Sequence, residues 1–156
     1  IWPVVAPGLV IAGHGAGIRG IRCIAVRPGS AGGAVAPRLA YELTTGIPMV
    51  PTPIVEDGRL FLWCDDGVVS CVRVATGETV WRERIDGAYY ASPVWVDGRL
   101  YNISKKGEVV VVAAGDKCEV LHRIPLGEPS FATPAVAGGV MYLRTSTHLF
   151  SLGGPR

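Results

Sequence analysis

The residues able to do chemistry are few and dispersed. His14 lies in a Gly-rich turn, His122 in a stretch of strand character and His148 at a turn position, so the three histidines do not build a shared site. Asp65-Asp66 has the composition of a carboxylate pair, but both precede Gly67, and Asp before Gly is ordinary turn chemistry. Gly15 to Gly20, GAGIRG, fits the spacing G-x-G-x-x-G. A dinucleotide fingerprint needs a helix directly afterwards to aim its N-terminus at a pyrophosphate, whereas Ile21 to Val26 reads as a strand. Of the four cysteines, Cys23 and Cys71 are expected at equivalent buried core positions, and Cys118 at a turn. Cys64 and Cys71 flank one hairpin in a register that suits a disulfide poorly. With no C-x-x-C and no His near Cys at ligand spacing, zinc is not expected. No Ser has a neighbouring base or a nucleophile-elbow pattern. These residues nominate no catalytic, cofactor-binding or metal site.

The elements that carry them are far more legible. Thr52 to Ala91 repeats as Ser92 to Ala132 at an offset of 40: Pro53 with Pro93, Asp57-Gly58 with Asp97-Gly98, Leu60-Phe61 with Leu100-Tyr101, Gly67 with Gly107. Pro134, Gly139, Met141-Tyr142 and Leu149-Phe150 begin a further copy at an offset of 41. Each unit reads as four short antiparallel strands: Pro53 to Glu56, Arg59 to Cys64, Val68 to Val74 and Thr79 to Arg84, separated by Asp57-Gly58, Asp65-Asp66-Gly67 and Ala75 to Glu78. The unbroken apolar runs Leu60 to Cys64 and Val109 to Val112 imply strands covered on both faces. A period near 40 with four strands per unit predicts a β-propeller. The fold class expected is therefore all-β: a partial β-propeller of about four blades, approximately 1–50, 51–91, 92–132 and 133–154, in one segment 1–156.

In the first unit Trp2 to Val5 aligns with an innermost strand and Pro7-Gly8 with its turn. Cys23 to Val26 aligns with Cys71 to Val74 at an offset of 48, and Tyr41 with Trp81 at 40, which puts eight extra residues in the loop Pro28 to Pro37. The last unit stops after its third strand, near Ser151-Leu152. Ile1 is not an initiator Met, and the chain reads as a fragment whose missing outer strand would come from its own propeller upstream of residue 1. Open end blades would expose apolar faces and favour self-association.

The stretch GRLFLWCDDGVVSCVRVATGETVW resembles the repeat of pyrroloquinoline-quinone (PQQ) enzymes and BamB-like assembly factors, which runs G-R-(V/L)-(Y/F), D-G, then A-L-D-A-x-T-G-x-x-x-W. SPVWVDGRLYNISKKGEVVVV and TPAVAGGVMYLRTSTHLFSL resemble the C-terminal part of PQQ-binding-like β-propeller repeat proteins. The resemblance implies that Trp81 docks between neighbouring blades, with Tyr41 and Leu121 in the same place in their own units. Arg73, Lys117 and Leu121 depart from the usual Asp, Gly and Trp. It further implies a non-catalytic interaction scaffold without a cofactor, or alternatively a PQQ-dependent dehydrogenase holding PQQ and Ca²⁺, or an extracytoplasmic sensor domain. Against the dehydrogenase, an adjacent-cysteine pair is absent, and Asn102 is the only carboxamide side chain. The family implies an extracytoplasmic location, in the periplasm or cell envelope.

Fifteen basic and thirteen acidic residues give a net charge of +2 without a basic stripe, so no nucleic-acid partner is expected. No run reaches the roughly 18 apolar residues of a membrane helix, and no direct insertion is expected. The protein partner is unspecified. The face expected to meet a partner or flat ligand is carried by Tyr89, Tyr90 and Phe131, in the equivalent segments Tyr89 to Pro93 and Ser130 to Pro134, where aromatic rings offer large contact area at low entropic cost.

Overall fold

The computed structural model describes residues 2–14, 20–30 and 32–153. Those residues form fifteen strands and no helix, so no helix is long and apolar enough to cross a membrane. The strands make four antiparallel sheets in chain order. The first contains β1 (Val4–Ala6), β2 (Leu9–His14), β3 (Arg22–Arg27) and β4 (Arg38–Leu43). The second contains β5 (Ile54–Glu56), β6 (Arg59–Trp63), β7 (Val68–Arg73) and β8 (Thr79–Arg84). The third contains β9 (Val94–Val96), β10 (Arg99–Ile103), β11 (Glu108–Ala113) and β12 (Val120–Pro125). The last has three strands, β13 (Ala135–Ala137), β14 (Val140–Arg144) and β15 (Leu149–Leu152), so it lacks the outer strand of the others. This is the partial four-bladed propeller that the repeats predict.

Turn chemistry sets the register of each blade. Asp57-Gly58 and Asp97-Gly98 both place two consecutive residues at positive φ, 46° and 71° then 47° and 73°, as a two-residue hairpin turn matched to strand twist requires. The apolar runs then divide by alternation between two neighbours. On β6, Leu60 and Leu62 face the first blade while Phe61 and Trp63 face the third. On β11, Val110 and Val112 face the second blade while Val109 and Val111 face the fourth. The hydrophobic core is thus a series of slabs between blades rather than one central mass, which is why strict polar alternation is missing from these strands.

Outer strands carry a β-bulge at one repeated place, Ala40, Val80 and Leu121, opposite the steps Ala25 to Val26, Cys71 to Val72 and Val111 to Val112. The bulges correct two sequence alignments. Ala25 pairs with Tyr41 as Cys71 pairs with Trp81, so Ala25, not Cys23, is the counterpart of Cys71. The surplus in the first blade is therefore shared between two connections rather than confined to the loop after Pro28. In the third blade Val111 pairs with His122, so His122 stands at the ladder position of Trp81 and Leu121 at that of Val80. The turn between β11 and β12 is one residue longer than that between β7 and β8, and the extra residue displaces the outer strand.

Connections between blades are tied by hydroxyls at equivalent positions. The Thr52 amide donates to Ser92 Oγ at 2.9 Å, and the Ser92 amide donates to Thr133 Oγ1 at 3.0 Å. Arg82 and Arg123, also equivalent, each reach back to the connection that precedes their blade, donating to the carbonyls of Thr45 and Ile85. At the free side of the first sheet, Val5, Val10 and Leu39 are exposed, on the face opposite to that packed against the second blade. His14's side chain and Gly15 to Arg19 of the GAGIRG segment lie outside the described residues.

Candidate functional site

Each connection from an outer strand to the next innermost strand crosses one rim of the arc, beside the turn between that blade's second and third strands. Tyr89 and Lys105 show how the two are locked together. The Tyr89 amide donates to the carbonyl of Asp65, and the Lys105 amide donates to the carbonyl of Ala88. The next blade repeats the arrangement, with Ser130 on Lys105 and Ser146 on Pro129. Residues at the repeated position after these bonds are consequently held outward.

Tyr90 and Phe131 occupy that position. They are 47% and 58% exposed, and their ring centroids lie 6.0 Å apart at 47°. The Lys105 ammonium sits 4.2 Å from the Tyr90 ring centroid, within cation–π reach. Beside Phe131 is an open cavity of about 250 Å³, lined also by Pro129, Ser130, Arg144, Thr145 and Ser146. The turn that carries Lys105 lies between the two connections, bonded to Ala88 on one side and Ser130 on the other, and Arg144 shares the cavity beside Phe131. Tyr89 does not belong to this surface. Its ring is fully buried, 5.2 Å from Trp63 edge to face, and its hydroxyl donates to the Asp86 carbonyl. Tyr89 precedes the outward position by one residue, and in extended chain the neighbour points the opposite way.

The expected docking side chains meet the following blade. Trp81 Nε1 donates to the Gly115 carbonyl at 3.0 Å, and the Tyr41 ring packs against Gly77, where a Cβ would lie 2.6 Å from Tyr41 Cδ2. Leu121 packs in the slab between the third and fourth blades with Met141 and Phe150, from its bulge position.

The turn Asp65-Asp66-Gly67 is structural in its geometry. Asp65 accepts from the amides of Met49 and Val50, and Asp66 accepts from the Val68 amide and pairs with Arg84 at 3.0 Å. His148 does find a partner: its Nδ1 lies 2.8 Å from Glu128 Oε1. Glu128 also accepts from the hydroxyls of Thr147 and Thr145 and from the Thr147 amide, and these bonds, that of Thr147 first, hold its pKa down to about 2. The cluster fastens the connection ahead of the last blade to the turn between β14 and β15. Cys23, Cys64 and Cys71 are buried free thiols, pushed by desolvation up to about 11, 12 and 11, far from a nucleophile's range.

Neither Lys105, Arg144 nor Glu128 was marked by the sequence. Arg82 and Arg123 do carry a signal, their recurrence at an offset of 41, which becomes visible once the longer third turn is allowed for.

Four sheets with slab cores, repeated bulges and repeated connections define a β-propeller segment of PQQ-like repeats. The chain belongs to the family described as outer membrane protein assembly factor BamB, whose model matches residues 21–118 and 65–152. Among curated proteins none matches significantly. Among solved structures the chain is similar to BamB from Moraxella catarrhalis, with 14% identity and a TM-score of 0.70 over 93% of this chain and 42% of that one. It is also similar to a quinohemoprotein alcohol dehydrogenase from Pseudomonas putida HK5, with 14% identity and a TM-score of 0.66 over 90% and 27%. A europium-containing methanol dehydrogenase matches with 12% identity and a TM-score of 0.61 over 78% and 23%. The chain thus spans less than half the length of these structures, and at such identities the likeness is one of fold.

Proposed function

We propose that the chain is a non-catalytic, BamB-like interaction scaffold of the cell envelope, binding protein through the rim that carries Tyr90 and Phe131. The observation that carries the reading is the exposed aromatic pair at repeat-equivalent positions, held outward by the bonds that lock connection to turn. Aromatic side chains that give up little entropy on contact are the common anchors of protein interfaces. The name of the matched family supports an extracytoplasmic setting.

The rival reading, a PQQ-dependent dehydrogenase, does not fit the donors of this segment. Calcium takes six to eight oxygen ligands from carboxylates, carboxamides and carbonyls. Asn102, the single carboxamide, is fully buried in β10 and its Oδ1 already accepts from the Ile103 amide. Among the described residues no group of three or more His, Cys, Asp or Glu could hold a metal ion.

Two measurements test the proposal. The segment is titrated with PQQ and Ca²⁺ while Trp fluorescence and thermal melting are followed, and neither is expected to change; saturable quenching with a raised Tm would overturn the scaffold reading. Immobilised segment is then exposed to envelope extract beside a Tyr90→Ala/Phe131→Ala variant of unchanged melting temperature. Proteins retained by the parent and lost by the variant are expected, and identical retention by both would overturn the assignment of the rim.

A further inference from the structure

We infer that the partner presents an acidic, extended segment, whose two alternate apolar side chains sit on Tyr90 and Phe131 while neighbouring carboxylates meet Lys105, beside Tyr90, and Arg144, beside Phe131. This rests on the scaffold reading above and specifies the chemistry of its partner. The argument is one of charge left over. Asp65 is engaged by two backbone amides, Asp66 by Arg84, and Glu128 by four hydroxyl or amide donors and His148. Lys105, by contrast, has only the Tyr90 ring, and among the described residues the side chains of Lys106 and Arg144 have neither ion pair nor hydrogen bond. Asp86, at the outer start of the connection that bears Tyr90, is the exception among the acids of this rim. Beside Tyr90 and Phe131, Lys105 and Arg144 thus lack counter-ions, while Asp65, Asp66 and Glu128 are already satisfied.

Spacing selects the form of the partner. Side chains on one face of an extended strand recur every second residue, about 6.6 Å apart, and the two ring centroids are 6.0 Å apart. Two apolar residues separated by one residue therefore match the step. Lys105 sits over the Tyr90 ring, whereas Arg144 lines the cavity that adjoins Phe131. Its planar fork can take a carboxylate in two-point fashion, whereas Lys105 acts as a point charge.

The test uses two labelled peptides, one with two alternate leucines flanked on each side by Asp and Glu, the other with every acid replaced by Lys. Fluorescence anisotropy at low and at physiological salt is read against the parent chain and against Lys105→Glu, at a half-buried position, and Arg144→Glu and Phe131→Ala, at exposed ones, with the folding of each checked by thermal melting. The acidic peptide is expected to bind saturably, more weakly as salt rises, and about tenfold more weakly to each charge-reversed variant. The basic peptide is expected to bind at least about tenfold more weakly to the parent. Equal binding of the two peptides, no binding of the acidic one, or indifference to both Lys105→Glu and Arg144→Glu would overturn the inference. If envelope proteins are still captured in a Tyr90- and Phe131-dependent manner, that failure leaves the scaffold standing. Loss of that capture removes both.

Discussion

Gly107 offers a sharp test of how the rim is built. It stands at φ 80°, and a Cβ added there would fall 1.6 Å from the Glu128 carbonyl oxygen. Gly98 stands at nearly the same φ, 73°, with nothing within 4 Å of the equivalent point. The pair separates backbone strain from steric exclusion. Strain alone costs an L-residue about 1–2 kcal/mol in this region, and that is the expectation for Gly98→Ala. Gly107→Ala adds a displacement of more than an ångström, since carbon and oxygen do not approach closer than roughly 3.2 Å. The displacement lengthens two bonds of 2.8 Å, from Gly107 to the Ser104 carbonyl and from Leu126 to the Gly107 carbonyl. At about 1 kcal/mol for each bond, plus lost packing between the third and fourth blades, the total is about 3–5 kcal/mol. For a chain of this size 1 kcal/mol moves Tm by about 2–4 °C. Scanning calorimetry should therefore find Gly107→Ala melting about 5–10 °C below Gly98→Ala. Coincident melting temperatures would refute the close approach of connection and turn on which the placement of Phe131 depends.

Trp81→Ala should destabilise by about 3–5 kcal/mol and Leu121→Ala by about 2 kcal/mol, whereas Trp81→Phe keeps a ring and should lose about 1 kcal/mol with the bond to Gly115; denaturant melts rank the three. Glu128 has a folded-state pKa depressed to about 2 from the ordinary 4.5. Its stabilising contribution is thus present above pH 4.5 and lost as pH falls toward 2, so the protection of the Thr147 amide against hydrogen exchange, relative to an unstructured peptide at the same pH, should fall over that window, and Glu128→Gln should abolish that fall. Native alkylation near pH 8 should label Cys118, the partly exposed thiol, and spare Cys23, Cys64 and Cys71 until the chain is unfolded, as read by mass spectrometry.

The fold was legible because it is written several times. Asp-Gly turns, runs such as Leu60 to Cys64 and a closing aromatic recur at one spacing, and each recurrence supports the others. Alignment failed where the period is locally broken. The third blade's longer outer turn moves Leu121 off Trp81's position, and the first blade's surplus is divided between two connections that a constant period cannot separate. The rim was half legible. Tyr90 and Phe131 followed from their places between strands, but Tyr89 looked the same in composition, and only the bonds to Asp65 and Lys105 decide which tyrosine turns inward. Lys105, Arg144 and Glu128 had no sequence signal, because their roles depend on which charges are already engaged, and that is a property of three dimensions.

Ser92 both receives the amide of Thr52 and gives its own amide to Thr133. A unit built this way carries plug and socket on a single residue, so this one link repeats from joint to joint even where the docking side chains differ. Gain or loss of a whole unit by gene duplication or deletion would leave this link matched, so the number of blades can drift over evolutionary time with only the apolar slab between the new neighbours left to adjust.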